Sequence, residues 1–150
     1  MKTYRLVSLG LLLSLLLQPM LTSLMAQGGT EKVLVKSFQL EGLPEVVLHA
    51  SGPVEVRRWQ SDVMRVQMTV YVEQATETMV KSLVQAGRYN IRTEALEGRW
   101  SVTTPGLQRE VLRNGQPLQE RISYLVFLPD NTHLTVKSDS SASANANGAL

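Results

Sequence analysis

The sequence predicts an all-β fold, mainly antiparallel, built as a sandwich-like or short solenoid-like domain with one short helix docked on it. Three observations carry that expectation. Met64, Val66, Met68, Val70 and Val72 alternate with Arg65, Gln67, Thr69, Tyr71 and Glu73, a strict period of two that gives a sheet one buried and one wet face. Shorter runs rich in β-branched residues recur along the chain, separated by Gly, Pro and Asn turn residues. A single segment, from Ala75 to Val84, repeats its apolar residues at helical spacing.

In chain order, Val33 to Leu40 reads as a strand, with Val33, Val35 and Phe38 expected in the core. Val46-Val47-Leu48 is a second apolar run, closed by Ser51-Gly52-Pro53. Val54-Glu55-Val56 alternates, and Arg57 to Asp62 reads as a turn. The long strand Met64 to Val72 has one fully apolar face, which favours a central place in its sheet. The helix takes Thr76 as its cap, Glu77 in its first turn and Gly87 as its stop. At about three turns it must dock on the sheet to be stable. Strands are expected again at Tyr89 to Glu94, Arg99 to Thr103, Ile122 to Leu128 and Leu134 to Lys137. The polar stretch Leu107 to Arg121 reads either as a mobile hairpin around Asn114-Gly115 or as a disordered loop, because Pro117 weakens its second strand.

Residues 1–26 have the layout of a secretory signal peptide. Lys2 and Arg5 precede an apolar run from Leu6 to Leu17, about 12 residues against the roughly 20 that span a bilayer. Pro19 breaks the run, and cleavage is expected between Ala26 and Gln27. An uncleaved anchor from Leu6 to Met25 is the alternative. Residues 27–137 are expected to form a single β-rich domain, and the Ser, Ala and Asn of residues 138–150 a flexible tail. The chain contains 0 cysteines, so it offers no residue for a lipoprotein lipid and none for a disulfide. The 15 Lys and Arg include Lys2 and Arg5, so cleavage leaves a formally neutral chain against 13 Asp and Glu. Global charge therefore gives no case for a nucleic-acid partner, and a membrane contact only through the transient signal peptide.

No motif points to catalysis, and no catalytic residue, cofactor or metal is expected. His49 and His133 sit beside strands without ligand spacing. Asp130-Asn131-Thr132 carries oxygens suited to a hard cation, but a turn after Pro129 explains the same residues. Glu94 and Glu97 lie near Trp100 and are the only hint of a glycosidase pair, although they flank the Gly98 turn. Arg57, Arg58 and Trp59 form the candidate binding feature, because Arg beside an exposed Trp can anchor a protein or stack on a sugar. The competing reading folds Trp59 back as a core plug.

Taken together, Phe38-Gln39-Leu40, Gly52-Pro53-Val54-Glu55-Val56, the Trp turn, the long alternating strand, Ile122 to Pro129 and Leu134-Thr135-Val136 form a recognisable order. It resembles the bacterial "putative adhesin" families of unknown function, including the head-GIN auto-transporter adhesin domain, over about Val35 to Val136. The resemblance implies an exported β-rich domain, solenoid-like or sandwich-like, from the envelope of Bacteroidota-type bacteria, with no catalytic residue to carry over. Such families usually continue into repeated Gly-x-Val-x-Val rungs. This chain has one rung-like element and no repeat of fixed period, so it looks like a head domain only. The expected function is a non-enzymatic envelope or surface β domain, adhesin-like or a scaffold, in the periplasm or on the cell surface, binding an envelope or extracellular protein or a glycan. A periplasmic stress-sensing or accessory factor linked to an envelope signalling system is the alternative, and a glycan-acting enzyme the third.

Overall fold

The computed structural model describes residues 28–138. The expected signal peptide, its cleavage site at Ala26 and Gln27, and the tail beyond Ser138 lie outside the described residues. The elements are β1 (Thr30–Gln39), β2 (Glu45–Ala50), β3 (Val54–Trp59), β4 (Val63–Val72), α1 (Glu77–Gln85), β5 (Arg92–Leu96), β6 (Arg99–Thr103), a 3-10 turn (Pro105–Gln108), β7 (Leu112–Arg113), β8 (Gln116–Pro117), β9 (Glu120–Pro129) and β10 (His133–Ser138). A first sheet has the order β1-β4-β9-β3, a second β10-β2-β6-β5, and β7-β8 is a small hairpin.

The fold is all-β and sandwich-like. β4 is central, antiparallel to β1 and to β9, as its single apolar face suggested. Met64, Val66, Met68, Val70 and Val72 are fully buried on that face. They meet Val46, Leu48 and Val102 of the second sheet and Tyr124, Val126 and Leu128 of β9 in one core. Antiparallel pairing is in the majority, but β3-β9, β10-β2 and β2-β6 run parallel. The reason is connectivity. Residues 51–53 carry the chain from β2 in the second sheet to β3 in the first, and residues 130–132 carry it back from β9 to β10. The arches lie at opposite ends of the sandwich, and the strands they join stack in parallel, β9 on β3 and β10 on β2, in the manner of a solenoid. Gly52 is needed in the first arch, because a Cβ there would stand 1.9 Å from the Ile122 carbonyl oxygen.

Two expectations are corrected. Val33 and Val35 were expected in the core; they are 45% and 58% exposed on the outer face of β1. Their register partners are Thr69 and Gln67, whereas Leu34 and Phe38 pair with the buried Met68 and Met64. Val35 and Phe38 have opposite parity on a strand, so only one set can face inward. The expected turn at Arg57 begins later, because β3 pairs with β9 as far as Trp59.

The helix starts where Thr76 accepts a hydrogen bond from the Met79 N–H at 3.2 Å, and Gly87 follows its end at φ 79°. Val80 is buried and Met79, Leu83 and Val84 pack on the core. Asn114 and Gly115, both at positive φ, make the tight turn between β7 and β8 that the dipeptide predicts.

Candidate functional site

β3 is an edge strand, and its side chains alternate between the core and the outer face of the first sheet. Val54, Val56 and Arg58 pair in register with the buried Tyr124, Val126 and Leu128, so they lie on the inner side. Glu55, Arg57 and Trp59 pair with Leu125, Phe127 and Pro129 on the outer side. The sequence feature Arg57-Arg58-Trp59 is therefore split by the pleat, and its three residues do not converge on one ligand.

Trp59 is half-buried rather than a core plug. Its ring centroid is 5.3 Å from that of Phe127, and its indole N–H donates to the Val63 carbonyl at 2.8 Å. The Arg65 guanidinium lies over the ring at 4.8 Å, and its Nε donates to Ser37 Oγ at 3.3 Å. Arg57 donates to the Glu55 carboxylate at 2.8 Å on the same face. Arg58 reaches the other way. Its Nη1 donates to the carbonyls of Pro129 at 2.7 Å, Asp130 at 3.2 Å and Thr132 at 2.6 Å. Two carbonyl oxygens of the Asp130-Asn131-Thr132 turn are thereby engaged. The turn does offer carbonyl oxygens to a cation, and the cation is the guanidinium of Arg58.

The outer face of the first sheet is amphipathic. Val33 and Val35 on β1 and the half-buried Leu125 and Phe127 on β9 flank the polar row of Arg65, Gln67 and Thr69 on β4. Farther along, Arg121 lies over the Tyr71 ring at 4.4 Å.

A second cluster was not visible in the sequence. Arg88, just after α1, donates from Nε to Glu120 Oε1 at 2.8 Å, and the side chains of both are only 9% exposed. Its Nη1 donates to the carbonyls of Gly106 at 3.2 Å and Arg109 at 2.8 Å. Tyr89 donates its hydroxyl to the same carboxylate. Burial, with the Glu120 carboxylate beside it, pushes the Tyr89 phenol pKa up, and the Glu120 hydrogen bond raises that of Arg88. The cluster borders a cleft of about 330 Å³ shared with Ser51 and Leu118. Its polar groups are spent on one another, so its chemistry is that of a clamp: it ties residues 106–109 and the start of β9 to the end of α1.

The other candidates do not assemble. Glu97 sits in the hairpin turn at φ 51° and pairs with Arg99 at 2.8 Å, and Glu94 is exposed on β5. His133 aligns with Glu45 and His49 with Lys137, four register positions apart on parallel strands, or about 13 Å. Among the described residues, no group of three or more His, Cys, Asp or Glu could hold a metal ion. No helix among them is long and apolar enough to cross a membrane.

No protein-family profile matches the chain, and no curated protein is similar to it. Among solved structures it is similar to the crystal structure of a "putative adhesin" from Bacteroides fragilis NCTC 9343, at 8% identity and TM-score 0.38, over 71% of this chain and 40% of that one. It is similar also to a "putative cell adhesion protein" from Clostridium sporogenes ATCC 15579, at 12% identity and TM-score 0.40, over 73% of this chain and 47% of that one. The chain spans less than half the length of either. At these scores the architecture rests on the strand order and register above, and the function on the surface itself.

Proposed function

We propose that this chain is an exported, non-enzymatic envelope or surface β domain, adhesin-like, that docks a protein partner through the outer face of its first sheet at the Trp59 corner. One observation carries this reading: Val33 and Val35 stand 45% and 58% exposed on the same sheet face as the half-buried Phe127 and Trp59, with Arg57 and Arg65 beside them. Apolar and aromatic side chains with arginine are the composition of protein contact surfaces. A protein fits better than a glycan, because the Arg65 guanidinium already covers the ring on which a sugar would stack.

The test is binding of the labelled chain to intact cells and to a glycan array, for the wild type and Trp59→Ala. The expected result is saturable, protease-sensitive binding to cells that drops about tenfold in Trp59→Ala, equivalent to about 1.4 kcal/mol, at a temperature where the variant, although less stable, is still folded. A sharp fall in melting temperature with unchanged binding would make Trp59 structural and sink the contact. Glycan-array binding would replace the protein partner with a sugar. Protease shaving of the producing cells separates surface display from the periplasmic accessory reading, which predicts protection until the outer membrane is opened.

A further inference from the structure

The two lateral edges of the sandwich are finished differently. At the β1 edge, α1 packs against the strand, Lys36 Nζ donates to the Ile91 carbonyl at 2.8 Å, and Thr30 Oγ1 donates to the Ala75 carbonyl at 2.6 Å. At the opposite edge lie β3 of the first sheet and β10 of the second, each hydrogen-bonded to a strand on one side only. The two short arches bring both bare strands to this edge. Val56 pairs in register with the fully buried Val126, and Val136 with Leu48 at 1% exposure, so both point inward. Each is nevertheless 44% exposed. Among the described residues, nothing covers the core here, and neither edge strand has a second strand partner.

We propose that this edge pairs with a second copy of the chain in a twofold dimer, with β3 antiparallel to the partner's β3 about Val56. The occupant follows from the charges. Antiparallel pairing centred on Val56 sets Glu55 of each copy opposite Arg57 of the other, on the outer face. The intrachain Glu55–Arg57 pair becomes a ring of four alternating charges. The same twofold axis turns the two β10 edges toward each other and covers Val136. A one-residue slip would place Glu55 or Arg57 opposite Val56, and a two-residue slip would set one of them opposite its own copy, so the charges also fix the register. The dimer is independent of the Trp59 contact, because association is measured with no partner present.

The test is sedimentation velocity on the chain purified after export, at about 100 μM, for the wild type, Glu55→Arg, Arg57→Glu, the double variant and Val56→Lys; at that concentration a Kd of about 10 μM leaves most chains paired. The wild type is expected as a dimer. Each single charge reversal sets like charges opposite each other and should weaken association about tenfold or more. The double reversal restores it, and Val56→Lys abolishes it. All three substitutions fall at exposed positions, and circular dichroism checks that each variant is folded. A monomeric wild type, single reversals that leave the dimer intact, or a double variant no better than the singles would each overturn the proposal.

Discussion

β9 is held by an arginine at each end, and the two arginines work in opposite ways. At its start, Arg88 meets the carboxylate of Glu120 with both side chains 9% exposed, and Tyr89 adds a third group. At its end, Arg58 meets only the neutral carbonyls of Pro129, Asp130 and Thr132, from an exposed edge strand. A buried charge must find a full counter-charge, or the uncompensated ion costs several kcal/mol. A guanidinium that keeps water on one side can cap backbone carbonyls and nothing else. The first clamp is therefore an all-or-nothing unit, and the second a graded one.

The largest effect that would break this contrast is at Glu120. Glu120→Ala leaves Arg88 buried without its carboxylate and should lower the unfolding free energy by about 3–5 kcal/mol. Urea denaturation measures it, and a loss below about 1 kcal/mol would mean the pair behaves as a surface salt bridge. At the other end, Arg58→Met removes hydrogen bonds from a charged donor, but water can replace it at the carbonyls. We expect a loss of about 2 kcal/mol, with faster amide exchange confined to residues 129–133. A cost equal to that of Glu120→Ala would erase the distinction.

The smallest effect is a pH dependence. The pKa of Tyr89 is raised above its usual 10.0 by burial, with the Glu120 carboxylate adding to the shift. In the unfolded chain the phenol ionises above about pH 10, while the folded state still holds the proton. The folded state then binds more protons, so this contribution is full below pH 10 and is lost as pH rises beyond it. Tyr89→Phe should flatten that alkaline decline relative to the wild type in paired urea titrations. Parallel declines would mean that Tyr89 does not titrate with unfolding.

Both clamps lie at the limit of what a sequence can disclose. Arg58 stands next to Arg57 and Trp59, and that adjacency reads as a shared site, but the pleat sends Arg58 to the opposite face. The Asp130-Asn131-Thr132 turn is legible as a turn, but nothing in its own residues joins it to an arginine 72 positions before Asp130. Arg88 and Glu120 left no signal, since they are 32 positions apart in unremarkable polar context. Val33 and Val35 were misplaced for a related reason. A strand's alternation is legible, but which parity faces the core depends on the neighbour it pairs with.

Local residue patterns already specify the β class, the central strand from Met64 to Val72, the capped helix after Thr76 and the turn at Asn114-Gly115. Each of these depends on residues close together in the chain, through the pleat, the helical period or a positive φ. The parallel pairing of β3 with β9 and β10 with β2, the edge at β3 and β10 of the described residues, and the partners of Arg58 and Arg88 emerge only once the two sheets pack. Those depend on the strand order of two sheets, which is set by burying one common core and is written in no local stretch of the chain.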